Sequence, residues 1–333
     1  MKLGLSALAR TLWHGDLGAA GAALSLALAP AELLYRMAAG VRNRAYDHSL
    51  LPTSAAGIPV ISIGNIAVGG SGKTPFTSWL AQRLARAGRH PAIVHGGYAQ
   101  DEPELHRDWT PGIPVVVDRD RVRAVRRAAA QGADVVLLDD AFQHRRLRRD
   151  LDIVLVGVER WQEPVRLLPR GPWREAPSAL RRADLIVCVR RTPVEHEAAV
   201  LAAALRRATG RDVVRAHLRP GSWLRNGEPV PPPAGPVLLV AGVADPALLE
   251  ANVRAAGVPV AGVATFPDHH AYTPADAERI RASAAGRTIV TSAKDWIKLK
   301  TLLDARQTCV LTQELMIEDG GALLDGALRR VLS

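Results

Sequence analysis

The stretch GNIAVGGSGKTPFTSWL, Gly64–Leu80, decides the fold because it sets a glycine-rich loop between a strand pattern and a helix pattern. The preceding IPVISI predicts a buried strand, and apolar residues recur at helical spacing after the loop. Pro75 suits a first helical turn. Glycines that turn backbone N–H groups into one concavity, next to a helix N-terminus, bind phosphate. The sequence therefore predicts a P-loop.

The loop predicts a nucleoside triphosphate and Mg²⁺ as ligands. The motif G-x-x-x-x-G-K-[ST] is met except at its first position, where the small residue Ala67 stands. In such a loop Lys73 contacts the β- and γ-phosphates and Thr74 ligates Mg²⁺. The alternative is a glycine-rich turn without a ligand, and the correct flanks disfavour it. The predicted nucleotide-binding residues are Gly69, Gly70, Ser71, Gly72, Lys73, Thr74, Pro75 and, from a later segment, Gln143.

Composition narrows the class of protein and its partners. The chain has 333 residues, of which 48% are hydrophobic, which suits about two globular domains. Its two cysteines lie far apart, which argues against a disulfide framework or a zinc site and favours a reducing compartment. A net charge of +10 predicts attraction to nucleic acid, an anionic membrane surface or a phosphorylated substrate, although part of it only covers solvated surface. No RNA-binding aromatic motif or zinc-finger spacing supports nucleic acid, and no obligate protein partner is inferred.

The N-terminal region favours the membrane surface. The uncharged run LGAAGAALSLALAPA is too short for a clear membrane span and fits a helix lying in the interface. A secretory signal peptide is an alternative, but the charges of Arg10 and Asp16 interrupt its expected order. A plain buried helix is another. The arginines expected to attract anionic lipid are Arg10, Arg36, Arg42 and Arg44.

Short apolar runs alternate with helical patterns along the rest of the chain. This predicts an α/β fold: a P-loop NTPase-like, mostly parallel sheet with helices on both faces, and a second, smaller α/β domain. The turn-rich LRNGEPVPPPAGP predicts a linker or domain edge. The predicted divisions are a membrane-associated helical region at 1–50, a P-loop domain at 51–222, a linker at 223–236 and a smaller C-terminal α/β domain at 237–333.

Asp139 and Asp140 end the apolar strand pattern DVVLLDD, where P-loop proteins place the acid that orients Mg²⁺. The alternative is a solvated strand end. The following QHRRLRRD is suited to phosphate or acidic lipid, although about half of its arginines are expected only to face solvent or pair with carboxylates. A second basic stretch, RGPWREAPSALRR, offers Arg174 for a phosphate of the nucleotide or the lipid.

Five segments in this order resemble the tetraacyldisaccharide 4'-kinases, the lipid A kinases of Gram-negative envelopes: GNIAVGGSGKTP, LLDDAFQHRRLRRDLDIVLV, LLPRGPWREAPSALRRADLIV, FPDHHAYT and TSAKDWIKL. The resemblance runs from about residue 62 to 299. It implies transfer of the ATP γ-phosphate to the 4'-hydroxyl of a tetraacylated glucosamine disaccharide that already carries a phosphate. It also implies attachment to the cytoplasmic face of the inner membrane through an N-terminal helix.

The resemblance also implies the catalytic residues. The family's catalytic aspartate lies in a G-D-E-P motif, which corresponds to QDEP and Asp101 here, and its histidine partner lies in FPDHHAYT. His269 is the expected partner, with His270 as the fallback. Lys73 and Arg174 complete the expected catalytic set, and Thr74, Asp139 and Asp140 the Mg²⁺ ligands. Read without the family, Asp101 is a turn-capping aspartate and His269 a partner of Asp268.

Three departures from the family pattern bear on the substrate side. HGGYA has Gly96 where the family usually has an arginine, the insertion before the catalytic aspartate is almost absent, and Ala141 replaces a usual glycine. Two rival functions stay open: a P-loop regulatory module that transfers no phosphate, and a soluble small-molecule kinase. The presence of an acceptor base would argue against the regulatory module. The apolar N-terminal run argues against the soluble kinase.

Overall fold

The computed structural model describes residues 11–13, 18–98, 101–161 and 163–332. The sequence predictions that involve Arg10, Asp16, Ala99 and Gln100 fall outside these described residues.

Two N-terminal helices, α1 (Gly18–Ala27) and α2 (Ala29–Asp47), lie against the body of the protein through one face. Ser25 and Glu32 are buried on that face, whereas Leu26 and Leu34 are 70% and 67% exposed on the other. Among the described helices, none is by itself long and apolar enough to cross a bilayer. Helices α1 and α2 pass that criterion only together, on length and composition, with a 47° bend between them.

The body is built on one twelve-stranded sheet. Its strands are β1 (Val60–Asn65), β2 (Pro91–His95), β3 (Val115–Val117), β4 (Val135–Asp139), β5 (Leu151–Gly157), β6 (Leu185–Arg190), β7 (Asp212–Arg225), β8 (Glu228–Val230), β9 (Val237–Ala241), β10 (Val260–Thr265), β11 (Ile289–Ser292) and β12 (Thr308–Asp319). The remaining α-helices are α3 (Lys73–Arg86), α4 (Asp101–Trp109), α5 (Arg121–Ala130), α6 (Glu195–Thr209), α7 (Pro246–Ala255), α8 (Pro274–Ala284), α9 (Ala293–Leu299) and α10 (Gly321–Leu332).

The sheet is mostly parallel, with the order β10-β9-β11-β12-β7-β6-β5-β1-β4-β2-β3 and β8 paired to β7. Only the β12–β7 and β7–β8 pairs are antiparallel among the strands described. Strand β1, which leads into the P-loop, lies between β4 and β5. The carboxyl ends of β1, β2 and β4 therefore meet at one edge, where ligands of such sheets bind.

Helices cover both faces of the sheet. In β1, Ile61 and Ile63 pack in one cluster with Phe76 of α3, whereas Val60 belongs to the opposite cluster with Val125 of α5. The strands near the C-terminus repeat the arrangement, with α7 and α8 in separate clusters. Strands buried on both sides need continuous apolar runs, which explains the near absence of alternation in this sequence. The predicted α/β class and mostly parallel sheet are confirmed.

The segment 223–236, predicted as a linker, contains a β-hairpin. Arg225 pairs with Glu228 across the two-residue turn of Asn226 and Gly227, which have φ values of 52° and 83°. Such a turn requires positive φ at both central residues, and Asn-Gly is the pair that adopts it most readily. The sheet continues from β7 directly into β12, so both sides of the predicted boundary share one sheet. The domain limits themselves stay predictions.

Candidate active site

The P-loop follows β1 and opens toward the carboxyl edge of the sheet. Gly69 and Gly72 have φ values of 110° and 86°, a region that L side chains rarely adopt, so the turn needs glycine at both positions. The Asn65 amide donates to the Ser71 hydroxyl at 2.9 Å and fixes the loop from below. Lys73 begins α3 immediately after the left-handed Gly72. Thr74 and Pro75 follow in the first turn, half-buried at the mouth of the loop.

The Asp140 carboxylate contacts two positively charged side chains beside the P-loop. Its Oδ1 lies 3.6 Å from Lys73 Nζ and 2.8 Å from Arg174 Nη1. Burial opposes ionisation of Asp140, but the positive charges of Lys73 and Arg174 together lower its pKa to about 2. Asp140 also has a φ of 52°, a strained value for a residue other than glycine. The strand end thus aims an ionised carboxylate at the P-loop lysine.

Asp139 is held differently, inside the protein. Its Oδ1 accepts hydrogen bonds from the Thr77 hydroxyl at 3.3 Å and from the Asp140 N–H at 3.0 Å. Its Oδ2 lies 2.9 Å from Nε2 of the buried His106, whose Nδ1 lies 2.8 Å from the Ser78 hydroxyl. Both oxygens of Asp139 therefore have protein partners, and this carboxylate holds the backbone at Asp140 in place from the buried side of the strand end.

The oxygen donors near Lys73 fit Mg²⁺, which prefers carboxylate and hydroxyl ligands. Asp140 and Thr74 supply such oxygens at the P-loop side. A second group, whose ligand atoms lie within 4.8 Å of one another, consists of His95, Glu102 and Asp139. Its imidazole nitrogen suits a softer metal better than Mg²⁺. Direct ligation of Mg²⁺ by Asp139 is the less favourable part of the prediction, because its oxygens are already engaged.

Asp101 and His269 lie together although 168 residues separate them. His269 Nδ1 lies 3.0 Å from both oxygens of the Asp101 carboxylate. Lys294 Nζ lies 3.0 Å from the other ring nitrogen of His269 and 2.7 Å from Asp268, and Lys298 Nζ lies 3.5 Å from Asp101. A lysine donor at Nε2 leaves Nδ1 as the N–H that donates to Asp101. The contact that the dyad requires is therefore present, and its catalytic role stays a prediction.

The surroundings keep Asp101 charged. Burial opposes its ionisation, but the hydrogen bond from His269 and the positive charges of Lys294 and Lys298 lower its pKa to about 2. His270, the fallback partner, instead lies 3.1 Å from Asp276 at the capping box that begins α8. The two histidines of FPDHHAYT thus differ in what they contact: one faces Asp101 and the other stabilises a helix end.

A hub of hydrogen bonds beside Arg174 joins the site to α2. Glu175 is buried and accepts from Asn43 at 2.6 Å, Gln143 at 3.0 Å and Arg182 at 2.8 Å. The Gln143 side-chain nitrogen also donates to the Asn65 carbonyl at 2.8 Å. Gln143 therefore links strand β1 to Glu175, and a direct contact with nucleotide stays a prediction.

The sequence predictions did not include several of these residues. Glu175, Lys294 and Lys298 lie in segments that carry the family resemblance, but the sequence assigned them no role, and His106 lies in none of those segments. Arg121 was also missed: its guanidinium is buried and donates to the Asp118 carbonyl at 2.9 Å.

Arg121 explains the glycine in HGGYA. A side chain at Gly96 would overlap the Arg121 guanidinium, so one arginine already fills the space beside this position. Ala141, the other departure, is fully buried behind the strand end.

Fold and site together define a P-loop nucleotide-binding protein with a carboxylate–imidazole pair at the same sheet edge. A family model for tetraacyldisaccharide-1-P 4'-kinase matches residues 24–107 and 99–332. The chain belongs to the tetraacyldisaccharide 4'-kinase family and is a kinase. The resemblance read from the sequence is confirmed.

Relatives named tetraacyldisaccharide 4'-kinase match over most of their length. The one from Anaeromyxobacter dehalogenans (strain 2CP-C) is 40% identical over 87% of this chain and 85% of its own. That from Chlorobaculum parvum is 35% identical over 83% of this chain and 84% of its own. The crystal structure of LpxK from Aquifex aeolicus in complex with ATP is 27% identical, with a TM-score of 0.76 over 93% of this chain and all of that one.

Proposed function

We propose that this kinase transfers the γ-phosphate of ATP to the 4'-hydroxyl of a tetraacylated glucosamine disaccharide 1-phosphate at the cytoplasmic face of the inner membrane. One observation carries the proposal. Lys73, Asp140 and Asp101 follow the carboxyl ends of the neighbouring strands β1, β4 and β2, which brings a phosphate site and a candidate acceptor base to one edge. Arg174 pairs there with Asp140, and His269, which follows β10, contacts Asp101.

ATP is the donor in this proposal. The glycines of the P-loop and the N-terminus of α3 offer backbone N–H groups to the phosphates, and Lys73 offers a charge to the β- and γ-phosphates. The relative from Aquifex aeolicus was crystallised with ATP and aligns along nearly the whole of this chain. Thr74 and Asp140 would hold Mg²⁺, which would neutralise charge on the β- and γ-phosphate oxygens. Asp139 would then keep Asp140 in position through their shared backbone.

The acceptor is activated by Asp101. As the 4'-oxygen forms a bond to the γ-phosphorus, the bond from that phosphorus to the β–γ bridging oxygen breaks and ADP leaves. The hydroxyl proton passes to the Asp101 carboxylate, and His269 holds that carboxylate through its Nδ1–H. The charges of Lys294 and Lys298 favour the ionised base before the reaction. Arg174 remains beside Asp140, where it can stabilise negative charge on the transferred phosphoryl group.

A direct transfer assay tests the activity. Radiolabelled ATP is incubated with the tetraacyl disaccharide 1-phosphate in detergent micelles, and label is followed into a 4'-phosphate. We expect Mg²⁺-dependent transfer by the wild type and almost none by Asp101→Ala, which should still bind ATP. Full activity of Asp101→Ala, or labelling of the lipid without Mg²⁺, would contradict the proposal.

Attachment to the membrane is proposed to use the exposed face of α1 and α2. Leu26, Leu34 and Met37 are 70%, 67% and 59% exposed there, and burial of such an apolar face in a bilayer interface is favourable. The double change Leu26→Asp and Leu34→Asp should reduce sedimentation with anionic vesicles and leave ATP binding unchanged. Val200→Asp is the matched control, since Val200 is a 53% exposed apolar residue on α6. Equal sedimentation of all three proteins would refute this attachment.

A further inference from the structure

A surface cavity of about 330 Å³ separates α2 from the loop that precedes Arg174. Ala29, Glu32, Leu33 and Arg36 line it from the helix, and residues 164–166 with Arg170 line it from the loop. Neither the P-loop glycines nor Asp101 and His269 are among its lining residues. None of the catalytic or nucleotide-binding residues lines it.

Among the described residues that line the cavity, three are arginines and one, Glu32, carries a carboxylate. Glu32 is buried and already has three partners: the Leu167 N–H at 2.8 Å, Arg36 at 3.1 Å and Arg170 at 3.4 Å. Arg166 donates instead to the neutral Ser25 hydroxyl at 3.2 Å. Within the described part of the chain, Arg166 has no ion-pair partner. Three guanidinium charges against one carboxylate leave the cavity with a charge of about +2, which favours an anion with several acceptor oxygens.

The cavity opens at the edge of the exposed apolar face of α2. Leu33 lines it and is 57% exposed, and Met37, one turn further on, is 59% exposed on the same side. If this face lies in the bilayer interface, the arginines stand at the depth of lipid headgroups. Basic groups at that depth attract lipid phosphates. The anion expected here is therefore borne by a lipid.

Helix α2 runs from the cavity to the catalytic edge. Tyr35 donates to the Arg174 carbonyl at 3.0 Å, and Asn43 donates to Glu175 next to it. Arg36 and Asn43 are seven residues apart, which corresponds to about 10 Å along an α-helix. That is the scale of a disaccharide, so one headgroup can extend along α2 from the arginine cavity toward the reaction site.

We propose that Arg36, Arg166 and Arg170 form a subsite for a lipid-borne phosphate, and that the 1-phosphate of the acceptor occupies it. The inference rests on the proposed function, because it gives the acceptor's second anionic group a place. The subsite orients the lipid so that the sugar end remote from this phosphate points to Asp101. Arg166 is the most informative residue, because its removal leaves the ion pairs of Glu32 intact.

The test compares two acceptors that differ only in the 1-phosphate. Arg166→Ala should raise the KM for the 1-phosphorylated acceptor about 10- to 100-fold, as expected for loss of a charged hydrogen bond. The kcat, the KM for ATP and the KM for the acceptor without this phosphate should not change. Arg166→Lys should recover part of the loss. Equal effects on both acceptors, or no effect, would overturn the proposal.

Arg254→Ala is the matched control for Arg36→Ala. Both arginines pair with a glutamate four residues earlier in a helix, and their side chains are 54% and 52% exposed. Only the change at Arg36 should raise the KM for the phosphorylated acceptor. If Arg36→Ala and Arg254→Ala raise this KM equally, the effect comes from the net charge of the protein, and the subsite is refuted.

Two binding measurements identify which lipid supplies the phosphate. Sedimentation with phosphatidylglycerol and with phosphatidylcholine vesicles tests whether a bilayer lipid supplies the phosphate. The proposal fails if Arg166→Ala weakens only the binding of phosphatidylglycerol vesicles and leaves the preference for the 1-phosphorylated acceptor intact. If the wild type phosphorylates neither acceptor, the proposed function fails. In that case, binding of the two acceptors in micelles without ATP tests the subsite separately. A preference of the wild type for the 1-phosphorylated acceptor that is lost in Arg166→Ala supports the subsite. Equal binding of both acceptors by the wild type overturns it.

Discussion

The contact between Asp101 and His269 predicts a specific pattern of kinetic losses. The two side chains are 3.0 Å apart and come from distant parts of the chain, so each can be removed alone or with the other. If they act as one unit, the loss of either disables the same step, and removal of the second adds little. The double variant Asp101→Ala with His269→Ala should then have about the same rate of transfer as the less active of the two single variants.

The structure sets the size of each loss. Asp101→Ala removes the proposed acceptor base, and general base catalysis is worth about 10²- to 10⁴-fold in rate. His269→Ala removes a hydrogen bond to a charged group, worth about 10- to 100-fold, while Lys298 at 3.5 Å still contacts Asp101. Independent effects would multiply to about 10³- to 10⁶-fold. If the two residues act as one unit, the transfer rate of the double variant should lie within a few-fold of that of Asp101→Ala.

Single-turnover transfer from radiolabelled ATP, at saturating acceptor, measures the chemical step for each variant. ATP binding by calorimetry should be unchanged in all of them, because neither residue belongs to the P-loop. His270→Ala is the internal control: the neighbouring imidazole contacts Asp276 and not Asp101. Multiplicative losses in the double variant, or a loss in His270→Ala as large as in His269→Ala, would refute the dyad.

Three further outcomes test the site and its support. Lys73→Ala should lower turnover by orders of magnitude with an unchanged melting temperature, and near wild-type phosphorylation would contradict the P-loop assignment. Gly96→Ala should destabilise the fold by about 1–3 kcal/mol in urea unfolding, because a Cβ there meets the buried Arg121; unchanged stability would mean that Arg121 moves freely. Asp101, with its pKa lowered from 3.8 to about 2, should contribute about 2 kcal/mol of stability above pH 4, which is lost as the pH falls toward 2. The difference in unfolding free energy between wild type and Asp101→Asn should therefore shrink across that range, and a constant difference would argue against the ion pair.

The parts of the site that follow from local chain geometry could be predicted from the sequence. A strand, three glycines and the Lys73–Thr74 pair define a P-loop within a dozen residues, because loop and helix bind phosphate through their own backbone. Asp139 and Asp140 were placed at a strand end by the apolar run before them, and β4 does end at Asp139. Their unequal roles could not be predicted, because the strand ends at Asp139 and the positive φ of Asp140 turns the chain out of it, a conformation that no local motif specifies.

The parts that depend on distant contacts could not be predicted. Glu175 becomes a hub only because α2 and Gln143 are brought to it across 132 and 32 residues. The hairpin at 225–228 is different, since Asn226–Gly227 is a local signal for a two-residue turn. The linker prediction used only the turn-rich composition of the whole segment. A turn-rich composition thus marks where the chain reverses, without saying whether the flanking residues pair.

Helix α4 couples the two halves of the site mechanically. Asp101 stands at its first residue and faces the C-terminal strands through His269, and His106, five residues later, contacts Asp139. Five residues of α-helix span about 8 Å, too short a rod to bend appreciably. The helix therefore holds Asp101 and His106 at a fixed separation, and His106 contacts the Asp139 carboxylate that accepts from the Asp140 N–H. One short helix therefore supports both the proposed acceptor base, Asp101, and the histidine that holds Asp139 behind the proposed phosphate site.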